Sequence, residues 1–194
     1  MRIIGLGVVA LALAGCGSGG GAGNSTEAGE AASTPAEAKL DPCSLATAEE
    51  VGAVIGDKIV ATKPDEGRCT YETADAQASA VTIEVDQKDA ENHMRVERDT
   101  ARVLGKMGGA AASEGAAGQQ VNSMLNESSD APGIGDEALF DINSRLSVRK
   151  GSIYLAVEPP MMRSRMAAGN PMLSTADKRK MALAIAEKAL ARLP

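Results

Sequence analysis

Cys16 limits what this chain can fold into more than any other residue. It follows Leu13-Ala14-Gly15, after an apolar run led by Arg2. That run is too short for a stable transmembrane helix, and its order is that of a bacterial lipoprotein export signal. The pattern predicts cleavage before Cys16 and a palmitate-bearing lipid on its thiol. Residues 1–15 are then a signal peptide, and residues 16–39 hold the lipidated cysteine and a tether rich in Gly, Ala, Ser, Thr, Glu and Pro. Such a composition has no large apolar side chain to bury, so it predicts disorder and a reach of roughly 25 Å on average. The part that must fold is 40–194, about 155 residues, an ordinary size for one domain.

Assigning Cys16 to lipid leaves Cys43 and Cys69 as a pair. On the extracytoplasmic side of a membrane two such thiols are predicted to be bridged. Closing a loop of that length stabilises by about 3.5 kcal/mol in the chain-entropy model. A staple matters here because aromatics are 2% of the residues, namely Tyr71, Tyr154 and Phe140. The core must come from Ala, Val, Ile, Leu and Met, which bury less area per residue. The same scarcity argues against stacking platforms for sugars or bases. A formal net charge of -6 disfavours nucleic acid, whose affinity for proteins comes largely from Lys and Arg at phosphates.

Along the domain, Thr47 followed by Glu50 is a capping box, Val51, Val54 and Ile55 share a face, and Gly56 is the stop. Strands are predicted over 58–62, 68–73 and 81–86, with a turn at 64–67; Val81, Ile83 and Val85 alternate toward the core. A helix over 90–106 carries Met94, Val96, Thr100, Val103, Leu104 and Met107 as a loose apolar stripe. The Gly/Ala run 108–118 reads as a loop, and Val121, Met124 and Leu125 as a weak extra segment. Gly133 and Gly135 mark a turn, too short for a nucleotide fingerprint. A second trio of strands follows: Ala138, Phe140 and Ile142; Leu146 and Val148; then 153–157. Ser174 and Asp177 form another capping box ahead of a helix over 175–193. Helix, three strands, helix, three strands, helix is the signature of an α+β fold, a mainly antiparallel sheet of about six strands with three helices.

Several of these segments together resemble a known family. They are Asp41-Pro42-Cys43 leading into Leu45-Ala46-Thr47-Ala48-Glu49-Glu50-Val51, Cys69-x-Tyr71, Gly133-Ile134-Gly135-Asp136-Glu137-Ala138, and Leu146-x-Val148-x-x-Gly151. The family is that of bacterial envelope lipoproteins with the domain of unknown function 3558. The resemblance implies a PsbP-like α/β/α sandwich, related to extracellular sensor domains of some bacterial kinases. It supplies no catalytic residue, and it gives Cys43 and Cys69 a structural role.

Chemistry is sparse. His93 is the only histidine, which removes most zinc, haem and two-histidine iron sites. It reads as a solvated helix residue rather than a general base. There is no Gly-x-Ser-x-Gly elbow. Carboxylates gather at Asp86, Asp89 and Glu91, and again at Asp136, Glu137 and Asp141, without the glycine-centred spacing of a calcium loop. Met161, Met162, Met166 and Met172 could offer soft ligands to Cu(I); alternatively they fill gaps between the sheet and the last helix. The sequence calls for no cofactor. It predicts a non-enzymatic envelope lipoprotein, membrane-held through its lipid anchor, that presents a surface to an envelope protein or small ligand. The alternatives are a carrier or sensor for an apolar ligand or Cu(I), and third an envelope hydrolase.

Overall fold

Thr47 starts the first helix as its residue type and spacing predict. Its hydroxyl accepts from Glu50 N at 3.2 Å while the Glu50 carboxylate accepts from Thr47 N at 2.9 Å, and Gly56 closes α1 (Ala48–Ile55) in the left-handed conformation, φ 73°. In this computed structural model, residues 39–75, 78–111, 129–163 and 172–194 are described, with 115, 116 and 119 between them. They fall in one unit, Ala38–Pro194.

After α1 come β1 (Ile59–Asp65), β2 (Arg68–Thr73), β3 (Val81–Asp86), α2 (Ala90–Ala111), β4 (Ser129–Asp130), β5 (Glu137–Phe140), β6 (Leu146–Lys150), β7 (Ile153–Glu158) and α3 (Thr175–Leu190). The strands form one seven-stranded sheet in the order β1-β2-β3-β7-β6-β5-β4, antiparallel at every pairing. The two trios are therefore not separate sheets: β3 pairs with β7 from Thr82↔Glu158 to Asp86↔Tyr154. The seventh strand is the two-residue β4, which lacks any hydrophobic run to announce it.

Alternation splits the sheet into two faces. Cys69, Tyr71, Val81, Ile83, Leu146, Val148, Leu155 and Val157 point one way into the main core with Val51, Ile55, Ala182, Ile185 and Ala189 from α1 and α3. On the other face α2 sets Ala90 and Met94 against Leu139, Tyr154 and Ala156. The result is an α/β/α sandwich. Cys43 and Cys69 are bonded, which fastens the short 3-10 turn Pro42–Ser44 to β2. Tyr71, fully buried, donates its hydroxyl to Ala46 O at 2.7 Å. From the other end of the domain Arg192 donates to Leu45 O at 2.9 Å and to Glu50 at 2.8 Å.

Five local expectations are corrected. β1 runs through Pro64 instead of turning there, and it can because β1 is an edge strand whose proline needs no second partner. Helix α2 continues through Gly108 to Ala111. Alanine is the best helix former, and Gly108 is buried on the face that also carries Met94 and Ala101, where a small residue lets the helix sit close. The rest of that run, apart from 115 and 116, and the segment with Val121, Met124 and Leu125 lie outside the described residues. Ile142 stands in a turn, not in β5, and α3 ends at Leu190. Finally, only half of the second capping box forms. Ser174 Oγ accepts from Asp177 N at 3.1 Å, but the Asp177 carboxylate takes the Ser174 hydroxyl at 2.8 Å instead of the backbone N–H.

Candidate binding surface on the α2 side of the sheet

The face beneath α2 is polar because alternation puts Ser147 and Arg149 of β6, Tyr154 of β7, Glu84 and Asp86 of β3, and Glu137 of β5 on it. Helix α2 answers with one carboxylate. Glu97, one helical turn beyond Met94, accepts from Arg145 at 3.1 Å, from the Ser147 hydroxyl at 3.3 Å and from the Tyr154 hydroxyl at 3.3 Å. Arg145 also reaches Glu84 at 3.1 Å, and Ser147 and Tyr154 lie 3.1 Å apart. Burial by itself would pull the Arg145 guanidinium down, but Tyr154, Glu84, Glu97 and Asp141 around it leave it above its ordinary value. Burial pushes the Tyr154 phenol up to about 12, against the pull of Arg145. Both groups therefore stay protonated, and the network is a set of fixed donors converging on two carboxylates.

His93 is not merely solvated. Its ring stacks on Tyr154 with centroids 4.4 Å apart and Nε2 lies 3.4 Å from Asp86. Asp86 is held below the usual carboxylate range, first by the Lys88 backbone N–H and then by His93. No other sequence feature singled out Glu97, Arg145, Ser147 or Tyr154. The period of β6 and β7, which sends Ser147 and Tyr154 away from the face of Val148 and Leu155, could have found those two.

Beside this network, at the start of α2, lies a pocket of about 490 Å³ lined by Lys88, Asp89, Glu91, Arg98, Glu137, Arg149 and Ser152. The two carboxylate clusters, far apart in sequence, thus meet through Asp89, Glu91 and Glu137. Glu137 is paired with Arg98 and lies 3.6 Å from Arg149 Nε. Asp136 accepts from Gly151 N at 2.7 Å. Asp141 serves its own turn, accepting from Asn143 N and Arg145 N, each at 2.8 Å. Among the described residues no group of three His, Cys, Asp or Glu is arranged to hold a metal ion. The pocket can offer both signs of charge and hydrogen bonds to a polar ligand.

Gly133 and Gly135 turn the chain into β5, and a Cβ on Gly135 would lie 2.6 Å from Arg149 O, so this glycine serves close packing. Of the methionines, Met162 and Met172 face each other across an isolated antiparallel bridge, with Met161 alongside and exposed. Met166 lies outside the described residues. A cavity touching Ile55, Pro160 and Met162 has only about 10 Å³, which is too small for an apolar ligand. The aromatics form no platform: Tyr71, Tyr154 and Phe140 are all buried.

The chain matches no protein-family model, no curated protein and no solved structure. What fold and site define together is an α+β domain with a charged groove where a helix begins over the polar face of an antiparallel sheet.

Proposed function

We propose that this chain is a lipoprotein of the bacterial cell envelope, held on the extracytoplasmic side of a membrane through acylated Cys16, and that it binds rather than catalyses. In this reading it belongs with the domain of unknown function 3558 lipoproteins and their PsbP-like sandwiches, and the pocket at the start of α2 takes a small polar ligand carrying both charges. The observation that carries the binding half is that pocket, about 490 Å³, whose lining includes the basic Lys88, Arg98 and Arg149 and the acidic Asp89, Glu91 and Glu137. The Cys43–Cys69 bond supports an oxidising compartment.

Two measurements test the halves separately. Labelled palmitate should enter the chain and not its Cys16→Ser variant; absence of label removes the anchor. Amino acids and short peptides screened by thermal shift should include stabilisers whose effect disappears in Lys88→Ala/Glu91→Ala, two exposed changes that leave the network beneath α2 intact. A screen in which every hit survives that variant removes the pocket. Hydrolysis of an envelope substrate, lost in Asp136→Asn or Glu137→Gln without loss of fold, would instead make the protein an enzyme.

One observation favours a second reading, a Cu(I) carrier: the bridge that sets Met162 opposite Met172. Arg163 beside them opposes a cation. Titration with Cu(I) against a competing chelator decides it, and binding no tighter than micromolar ends it.

A further inference from the structure

The sequence places Val96, Thr100, Val103 and Met107 in a loose apolar stripe, and the fold leaves them outside. Val96, Val103 and Met107 are 50, 55 and 57% exposed. The side of α2 that meets the sheet is another one, formed by Ala90, Met94, Glu97 and Gly108. The outer four are separated by four, three and four residues, so they run in one line along the helix, with the repeat of a coiled-coil seam. A line this narrow suits a facing helix better than a broad core or a bilayer surface. Val96, Asp99, Thr100 and Val103, with Leu104, also border a depression of about 330 Å³. The first four stand at i, i+3, i+4 and i+7, the arrangement that receives one side chain from an opposing helix.

We propose that this line is a docking seam and that its occupant is a second copy of this chain, α2 lying antiparallel to α2 across a two-fold axis. The seam is self-complementary in that orientation. With Thr100 opposite Val103 of the second copy, Val96 falls opposite Met107, and each Val103 enters the depression of the other helix. The charges agree. Asp99 and Lys106 flank the seam seven residues apart, and this register brings each Asp99 beside Lys106 of the other copy, twice by symmetry. A parallel pairing makes no such contact. Within one chain Asp99 pairs with Arg102 at 2.8 Å and Arg95 at 3.6 Å, exposed pairs weak enough to rearrange. The inference stands whether or not Cys16 is acylated.

Four side chains per helix bury well under the roughly 1,600 Å² of a standard interface, so the dimer is weak. Sedimentation equilibrium of the full chain in a mild non-ionic detergent should show a concentration-dependent monomer–dimer equilibrium. Val103→Glu should raise the dissociation constant about tenfold or more, the equivalent of about 1.4 kcal/mol. Asp99→Lys and Lys106→Asp should each weaken association several-fold, and the double exchange should restore it. Since Asp99 and Lys106 hold no part of the core, the exchange tests the seam even if Val103→Glu lowers stability. A monomer at every concentration, a dimer indifferent to Val103→Glu, a double exchange no better than the singles, or Val103-dependent flotation with anionic vesicles would each overturn the proposal.

Discussion

Glu97 is the α2 side chain that gathers three donors from the polar face of the sheet, Arg145, Ser147 and Tyr154, and replacing it measures what that tie contributes. In Glu97→Ala, Arg145 loses its 3.1 Å partner and two hydroxyls lose an acceptor at 3.3 Å. Breaking a fully buried ion pair costs about 3–5 kcal/mol. Here the loss is smaller: the side chains of Arg145 and Glu97 keep 27 and 19% exposure, Arg145 retains Glu84, and the hydroxyls retain each other. One ion pair and two long hydroxyl–carboxylate bonds, offset by the partners that remain, come to about 2 kcal/mol. In a domain of this size that lowers the melting temperature by about 4–8 °C. Calorimetry gives the shift, and hydrogen exchange should show the amides of α2 opening first, because apart from Glu97 the helix is held by the small apolar contact of Ala90 and Met94, the His93 ring on Tyr154 and the partly exposed Arg98–Glu137 pair. The companion variant Glu97→Leu/Arg145→Leu removes both charges and leaves Glu84 with Arg68 at 3.4 Å, so it should cost clearly less than its two single changes added together. A loss under about 0.5 kcal/mol in Glu97→Ala, or strict additivity in the double change, would refute the network as a coupled unit.

Reducing the Cys43–Cys69 bond should destabilise by up to about 3.5 kcal/mol, the loop-entropy figure for a separation of 26 residues, seen as a lower midpoint in denaturant with and without reductant. Glu50 titrates at about 2 in the fold instead of its ordinary 4.5, held there first by Arg192 and then by the Thr47 N–H. A depressed carboxylate contributes stability that is complete above its unfolded value and fades as pH falls. The advantage of wild type over Glu50→Gln in thermal melts should therefore be full above about pH 4.5 and gone by about pH 2; a constant difference would contradict the pairing. Gly135→Ala should cost about 2–3 kcal/mol, since the residue has φ 62° and its new Cβ would lie 2.5 Å from Val148 Cγ1 and 2.6 Å from Arg149 O; urea unfolding measures it.

Where one residue type has one physical use, the sequence was a sufficient guide, and the expectation that Cys43 and Cys69 pair with each other is met. Thr47 and Glu50 can cap each other only at a helix start, and Val81, Ile83 and Val85 can share a face only as a strand. The reading failed where burial, not pattern, decides. Thr100, Val103 and Met107 have helical spacing with Met94 roughly satisfied, but spacing does not say which of two adjacent sides meets the sheet, and Ala90, Glu97 and Gly108 took that place. The polar network stayed hidden because Glu97, Arg145 and Tyr154 are dozens of residues apart and belong to no motif. The pocket escaped for the same reason: Glu91 and Glu137 were seen as two surface clusters, and only the closure of β5 against β6 and the start of α2 brings them together.

The pairing of β3 with β7 makes the two halves of the chain interdependent. Five residue pairs from Thr82↔Glu158 to Asp86↔Tyr154 join the first three strands to the last four at the middle of the sheet, with α1 and α3 packed in one core across the join. A single backbone cut between Ala111 and Ser129 would therefore release neither piece. The nicked protein should migrate as one particle until denatured, and each fragment alone should expose a long apolar strand edge and aggregate.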